Sequence, residues 1–179
     1  MTFNLLGTLG SFKDPNLPTG YAPFNIQQIG TQVFVTYAVQ DAAGLNPVPG
    51  SGNGIVNVFD QEGNFIRRFA SNGSLNAPWG IVQASANFGS FSNDILIGNF
   101  GDGTIDAFNA FSGRFEGTLL DPNGATLVID GLWALSFAGD PTQNGSPTDL
   151  YFTAGPNDEN DGLFGKITAT ATEQRGNAE

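Results

Sequence analysis

The sequence predicts an all-β protein built from repeated antiparallel sheets. Glycine supplies 25 and proline 10 of the 179 residues, a turn-rich composition that favours many short strands over a helical bundle. Hydrophobic residues make up 40% of the chain, enough for one domain with a sizeable core. The sequence also repeats at intervals of about fifty residues, which indicates that one structural unit is used several times.

The clearest repeat is a short apolar stretch that begins with glycine. Residues 54–60 read GIVNVFD, and residues 103–109 read GTIDAFN, 49 positions later. A second pair is formed by residues 76–81 (NAPWGI) and 130–135 (DGLWAL). Periods of 40–50 residues made of short strands are typical of β-propeller blades, each of which is a four-stranded antiparallel sheet. The repeats therefore predict a half β-propeller of three blades within a single propeller-type domain.

The blades follow one another along the chain. Residues 20–75 form the first blade, residues 76–127 the second, and residues 128–172 the third, which lacks its outer strand; residues 173–179 are a polar tail. Turn-forming residues separate the strands, as in the Gly-Asp-Gly sequence at 101–103. The predicted strands, in chain order, are 25–29, 32–38, 55–60, 64–70, 80–84, 94–99, 104–109, 114–120, 132–137, 149–153 and 163–170.

A spare strand at the N-terminus matches the strand that the third blade lacks. Residues 3–9 (FNLLGTL), within a predicted closing strand at 1–12, are similar to the outer-strand residues 115–120 (FEGTLL). Three blades leave an apolar sheet face bare at each end, so we expect two chains to join head to tail as a homodimer that closes a ring of six blades. The residues expected to mediate strand exchange are Phe3, Leu5, Leu6, Leu9, Leu163, Phe164 and Ile167.

Several classes of function are disfavoured by composition. The chain has no histidine and no cysteine, which excludes Ser-His-Asp triads, histidine-ligated metals and thiol chemistry. Seventeen acidic residues against six basic ones give a net charge of -11, which argues against a nucleic-acid partner. No apolar run is long enough to span a membrane, and the first residues show no signal-peptide pattern. No cofactor is indicated, although Ca²⁺ would suit the oxygen ligands that remain.

Propeller topology predicts where a binding site would lie. The loops that enter the inner strands and those that join the two middle strands meet at one end of the blades, here called the loop face. The candidate ligand-binding residues of this face are Tyr21, Trp79, Asn99, Asp102, Trp133 and Asp158. If a metal ion binds, the candidate ligands are Asn25, Asn99, Asp102 and Asp158.

Each of these residues also has a structural interpretation. Asp and Asn commonly cap turns by bonding nearby backbone amides, without holding any ligand. Trp79 and Trp133 occupy equivalent repeat positions, and this recurrence favours packing in the gap between blades over sugar binding, although an exposed tryptophan would also suit the apolar face of a sugar. Both interpretations of the loop face remain open.

Four short motifs carry a resemblance to a known family: residues 76–80 (NAPWG), 98–103 (GNFGDG), 130–133 (DGLW) and 162–165 (GLFG). They resemble an uncharacterised bacterial family of NHL-like six-bladed β-propellers. Its members are often secreted and often end in a PEP-CTERM sorting signal. The resemblance implies a propeller of which this chain matches the C-terminal half, and it suggests secretion, but it implies no activity.

Two functions follow from these observations. The first is a non-catalytic binding or scaffold module that assembles into a closed ring and whose ligand is a carbohydrate or another small molecule. The alternative is a Ca²⁺-dependent hydrolase or lactonase-like enzyme, in which the candidate metal ligands form a carboxylate and asparagine cage on the loop face. The absence of the side chains used in common catalytic mechanisms makes an enzyme the less favoured of the two.

Overall fold

Eleven β-strands form three antiparallel sheets in a computed structural model that describes residues 12–139 and 145–170. Sheet 1 comprises β1–β4, sheet 2 comprises β5–β8, and sheet 3 comprises β9–β11, each in sequential order. The strands are β1 (Tyr21–Ile29), β2 (Gln32–Val39), β3 (Gly54–Phe59), β4 (Phe65–Ser71), β5 (Pro78–Gln83), β6 (Ile95–Asn99), β7 (Ile105–Phe108), β8 (Phe115–Thr118), β9 (Leu132–Phe137), β10 (Asp149–Ala154) and β11 (Leu163–Thr168).

The prediction of an all-β fold is confirmed for the described residues, as is the division into three sheets with three strands in the last. Within them the one helical element is a 3-10 turn, Gly89–Phe91. No helix among the described residues is long and apolar enough to cross a membrane. The predicted N-terminal strand, with Phe3, Leu5, Leu6 and Leu9, and the predicted tail at 173–179 lie outside the described residues.

The strand bounds differ from the predicted ones mainly at β1. This strand begins at Tyr21 rather than at residue 25, because its pairing with β2 continues through Pro23. The register skips one residue between Pro23 and Asn25, and such bulges are where a sheet tolerates proline. The bulge places the ring of Phe24 beside Trp79, at one end of the inner strands.

The sheets pack face to face, with sheet 2 in the middle. Its inner strand β5 contacts both β1 and β9. The central strands are buried on both faces because alternate side chains reach opposite neighbours: Ile105 and Ala107 face sheet 3, and Phe108 faces sheet 1. The gap between sheets 1 and 2 holds Phe34, Val56, Val58, Phe69, Ile81, Ile95 and Ile97. The gap between sheets 2 and 3 holds Leu96, Leu119, Leu132, Leu135, Leu150 and Ala154.

The outer face of sheet 1 is crossed by the first described residues. The Phe12 ring lies 5.6 Å from that of Phe59, and Asp14 is buried against Asn57 and Arg68. Burial by itself raises the pKa of Asp14. The hydrogen bonds from Arg68, the Asn16 amide and Asn57, together with the charge of Arg68, outweigh burial and lower that pKa. This segment is therefore held to the sheet by a buried ion pair as well as by apolar contacts.

Candidate functional site

Three aromatic side chains meet on the loop face. The ring centroid of Trp79, in β5, lies 4.7 Å from that of Phe24 in β1 and 6.2 Å from that of Phe100, which follows β6. Phe24 and Phe100 are 6.1 Å apart and nearly perpendicular. All three side chains are half-buried, so part of each ring faces solvent. Phe24, Trp79 and Phe100 are called the aromatic cluster below.

The backbone around Trp79 fixes the position of this cluster. The pairing of β5 with β6 skips between Pro78 and Ile81, so Trp79 lies in an irregular part of the ladder. The Nδ2 of Asn25 donates a hydrogen bond to the Trp79 carbonyl at 3.0 Å and so joins the inner strands of two sheets. Asn25 is thereby placed next to the cluster, and its Oδ1 accepts a hydrogen bond from the Ile26 amide.

The second tryptophan lies in the corresponding place of sheet 3 and has a polar partner. The Nε1 of Trp133 donates to Oε1 of Glu159 at 2.9 Å. A Cβ at position 155 would overlap the Trp133 ring, so only glycine permits this close approach. The result is a half-buried indole with an exposed carboxylate beside it.

The loop that carries Glu159 has an unusual backbone. Asn157, Asp158 and Glu159 have φ values of 58°, 53° and 61°, three consecutive left-handed residues without a glycine. The left-handed conformation is costly for residues other than glycine, less so for Asn and Asp, and hydrogen bonds within this loop and to the loop before β9 offset the strain. The Asn157 amide donates to Oδ2 of Asp130 at 3.1 Å, and the Glu159 amide donates to the Gly155 carbonyl at 3.1 Å.

The polar side chains between sheets 1 and 2 form a network centred on Asn76. The Oδ1 of Asn99 accepts from the Asn76 amide at 2.9 Å, and the Asn76 Nδ2 donates to Oδ2 of Asp102 at 2.8 Å. Asn99 is completely buried, and its Nδ2 also lies within hydrogen-bond distance of Oδ2 of Asp106 and Oγ1 of Thr104. Asp102 caps the turn through the Thr104 amide at 3.1 Å. Asn99 and Asp102 are therefore both engaged in bonds within the protein.

Asp106 is the buried acid of this network. It is fully inaccessible, and burial raises its pKa, although hydrogen bonds from Thr118, Ser74 and Asn99 act in the opposite direction. Neither Asn76 nor Asp106 was among the candidate residues. One signal pointed to Asp106: a lone acid in the middle of an apolar strand, at the repeat position that Asn57 occupies in β3.

The structure brings some of the predicted site residues together and separates others. Asn25 adjoins Trp79, and Asn99 is linked to Asp102 through Asn76. Tyr21 lies at the start of β1, where its hydroxyl donates to the Gly52 carbonyl at 3.4 Å. Asp158 lies on the same loop as Glu159, the partner of Trp133. Within the described ranges, no three acidic side chains are grouped closely enough to hold a metal ion.

Comparison with known proteins assigns no activity to this arrangement. No family model matches the chain. An uncharacterised protein of Acanthamoeba polyphaga mimivirus is 37% identical over 159 residues, which are 88% of this chain and 38% of the viral protein. A second uncharacterised protein of that virus is 37% identical over 156 residues, 87% of this chain and 40% of its own length. The chain thus spans about two fifths of the length of these relatives.

A solved structure is also similar in part. A protein of unknown function from Bacteroides caccae aligns with 86% of this chain and 48% of its own, with a TM-score of 0.47 and 10% sequence identity.

Proposed function

We propose that the chain is a non-catalytic binding module of the propeller type, in which the three sheets act as blades and the loop face holds a neutral carbohydrate. The observation that carries the proposal is the aromatic cluster, whose rings contact one another yet remain partly open to solvent. Aromatic faces suit the apolar face of a sugar ring, and contiguous exposed apolar groups rimmed by polar residues are typical of ligand-binding sites.

The polar surroundings of the two tryptophans support the same ligand class. Glu159, already bonded to the Trp133 indole, has a second carboxylate oxygen with which to accept a sugar hydroxyl. Several exposed acids occupy the loops of this face, and they would repel an anionic ligand; they are Asp102, Asp130, Asp158, Glu159 and Asp161. We therefore expect neutral sugars to bind and acidic sugars to be rejected.

Tryptophan fluorescence tests this proposal directly, because the chain has two tryptophans and both lie on the loop face. Cellohexaose, mannohexaose and chitohexaose are titrated separately, with hexagalacturonate as the acidic counterpart. We expect at least one neutral hexasaccharide to shift the emission saturably and hexagalacturonate to leave it unchanged. Trp79→Phe should weaken binding at least tenfold, with Trp133 reporting the loss.

The matched control is Phe111→Ala. Phe111 is 92% exposed in the turn between β7 and β8, at the opposite end of the sheets from the loop face. Its removal deletes an aromatic ring of the same kind, and we expect sugar binding to be unchanged. Emission that responds to none of the three neutral sugars, or a loss that Phe111→Ala reproduces, would contradict carbohydrate binding at the cluster.

The proposal includes assembly, with two copies joined head to tail in a ring of six blades. Both end faces of the stack present apolar surface. On sheet 1 a cavity of about 330 Å³ is lined by Phe12, Phe24, Asn25, Ile26, Val35 and Tyr37 and by Pro23. On sheet 3 the Phe164 ring is 70% exposed and stacks on Tyr151 at 5.8 Å. The viral relatives carry the matched segment within longer chains, which leaves room for further blades in one polypeptide.

The mass in solution tests the ring. We expect light scattering to give twice the chain mass of 18.8 kDa across a wide range of protein concentration. A well-folded species of 18.8 kDa would contradict the ring but leave the carbohydrate test unaffected.

A further inference from the structure

Sheet 3 differs from the other two sheets at its outer edge. In sheets 1 and 2 the third strand pairs with a fourth, β4 or β8. In sheet 3 the third strand, β11, pairs with β10, and no described strand lies on its other side. The edge from Leu163 to Thr168 therefore offers a place where another strand can add to the sheet.

In both complete sheets, a phenylalanine of the fourth strand packs against a phenylalanine of the third. Phe65 of β4 packs edge-on against Phe59 at 5.7 Å, and Phe115 of β8 packs edge-on against Phe108 at 5.6 Å. Each phenylalanine is also the ladder partner of the ring that it covers. In both sheets, one apolar side chain of the fourth strand thus closes the outer end of the third.

Ile167 is the residue of β11 that corresponds to Phe108. Phe108 pairs with Ile95 of β6, and Ile167 pairs with Leu150 at the matching position of β10. Ile167 lines a cavity of about 270 Å³ between sheets 2 and 3. The other apolar side chains around the cavity are Phe88, Phe91, Leu119, Leu120, Pro122, Leu127 and Ala169.

The corresponding space between sheets 1 and 2 is also a cavity, of about 340 Å³, but there the fourth strand of sheet 2 forms part of the wall. The space beside Ala70 and Ser71, at the end of β4, is lined by Phe108 and by Phe115 of β8. The space beside Leu119 and Leu120, at the equivalent end of β8, has Ile167 on its far side and no side chain from a described fourth strand. The two cavities therefore differ in their walls: beside Ile167, the apolar side chain that a fourth strand supplies in sheet 2 has no counterpart among the described residues.

We propose that residues 3–9 of a second copy of the chain pair with the outer edge of β11 and place an apolar side chain in this cavity. The proposal rests on the ring described above. Residues 7–9 (GTL) repeat residues 117–119 of the β8 region, and the segment has no charged side chain. In sheet 2, Thr118 pairs with Asp106, Gly117 with Ala107 and Phe115 with Phe108. Transferred to sheet 3, this register pairs Thr8 with Gly165, Gly7 with Lys166 and Leu5 with Ile167.

The length of the chain favours a second copy over the same one. Phe12 is fixed on the outer face of sheet 1, where its amide donates to the Gly63 carbonyl. Packed sheets lie about 10 Å apart, so sheet 3 is about 20 Å from sheet 1. With Leu9 seated on β11, residues 10 and 11 leave three Cα–Cα steps to Phe12, about 11 Å at full extension. A strand from the same chain therefore cannot reach, whereas head-to-tail stacking brings the partner's sheet 1 next to sheet 3.

The other segment near this cavity is less suitable. Residues 171–179 follow Thr170 directly, and they include two glutamates and an arginine. A cavity lined mainly by aliphatic and aromatic side chains would have to desolvate those charges. Residues 3–9 carry leucine and phenylalanine instead.

Disulfide cross-linking tests the pairing of residues 3–9 with β11, because the chain has no cysteine of its own. Leu5→Cys and Ile167→Cys are prepared as separate full-length chains, mixed and oxidised. We expect a disulfide-linked dimer on a non-reducing gel in the mixture. The control mixes Leu5→Cys with Ile66→Cys, whose position on β4 is 45% exposed but not opposite residue 5, and should give none. Equal cross-linking in both mixtures, or none in either, overturns the proposal.

The double variant Leu5→Cys with Ile167→Cys shows whether the strand beside β11 comes from the same chain or from a second copy. A cross-link within one chain, seen as a faster-migrating monomer, overturns exchange between copies. A dimer in which both chains are linked supports it.

A second measurement covers the case in which the cysteine variants fold poorly. The chain without residues 1–10 should lose the dimer, and a peptide of residues 1–11 should raise its melting temperature where a scrambled peptide does not. A dimer that survives the deletion overturns the proposed strand pairing but not the proposed ring. A wild-type chain that is monomeric overturns both, and the sugar titration then decides carbohydrate binding separately.

Discussion

Asn57 and Asp106 are fully buried polar residues that share one position of the repeat, in the middle of an apolar strand. Their neighbours differ: Asn57 donates from Nδ2 to Asp14 while its buried Oδ1 has no hydrogen-bond partner among the described residues, and Asp106 accepts from Asn99 and Thr118. Buried polar groups cost free energy unless they are bonded, so each side chain depends on its partner's being in place. Equivalent positions of sheets 1 and 2 therefore make different polar contacts, although the strands of the two sheets repeat in sequence.

The two buried aspartates should give stability a pH dependence of opposite sign. The pKa of Asp14 is lowered from 3.8, so its contribution is present above 3.8 and lost as the pH falls through the folded-state pKa. The pKa of Asp106 is raised from 3.8, so its contribution is full below 3.8 and is lost as the pH rises through the folded-state pKa. Urea unfolding from about pH 3 to pH 7 compares wild type with Asp14→Asn and Asp106→Asn.

We expect Asp14→Asn to cost about 2 kcal/mol near neutral pH, because it breaks a buried ion pair with a partly solvated arginine. That cost should shrink in acid, whereas the wild-type advantage over Asp106→Asn should shrink as the pH rises. For each variant, the difference in free energy of unfolding from wild type is plotted against pH. Two plots with slopes of the same sign would contradict these assignments.

At the scale of the element, the inner strands β5 and β9 approach closely because position 80 is glycine. A Cβ there would lie 2.7 Å from the Trp133 carbonyl oxygen and 2.8 Å from Cγ of Leu135. Gly80→Ala should therefore push two sheets apart and lower the free energy of unfolding by about 2 kcal/mol. Chemical denaturation at neutral pH measures the loss.

Gly162→Ala is the matched control. A Cβ at residue 162 meets nothing within 4 Å, and no left-handed φ requires glycine there. The change should alter stability by less than about 0.5 kcal/mol. Equal effects at both positions would mean that backbone entropy, and not the approach of β5 to β9, explains the glycine at 80.

The whole molecule carries a net charge of -11, so its acidic groups repel one another in the folded state. Raising NaCl from about 10 mM to about 300 mM should therefore raise the melting temperature by a few degrees through screening. We expect CaCl₂ at the same ionic strength to add nothing, because Asn25, Asn99 and Asp102 already bond to protein groups. A further rise in melting temperature with Ca²⁺ that a chelator reverses would contradict this expectation and support a Ca²⁺ site on the loop face.

Much of the architecture could be read from local patterns in the sequence. The alternation of apolar stretches with glycine, proline and asparagine marks each strand and turn without reference to distant residues. A repeat such as residues 54–60 and 103–109 then indicates that successive units fold alike. The all-β class, the three sheets and the short third sheet follow from such local information.

The candidate site was predicted only in part, because its contacts join segments far apart in the chain. Trp79 and Trp133 were recognisable from their repeat position, but Phe24 and Phe100 were not expected beside Trp79. Asn99 lies at the end of a strand and was assigned to an exposed loop face, yet it is completely buried. Glu159 was not selected, and it bonds Trp133 across 26 positions of sequence.

By itself the sequence determined the class of fold, the order of the strands and the acidity of the surface, because these depend on composition and on neighbours within a few positions. The tertiary structure alone decided which polar side chains are buried, which rings meet and where sheet 3 lacks a covering strand. Those outcomes depend on how three sheets pack against one another, and packing pairs residues that no local pattern connects.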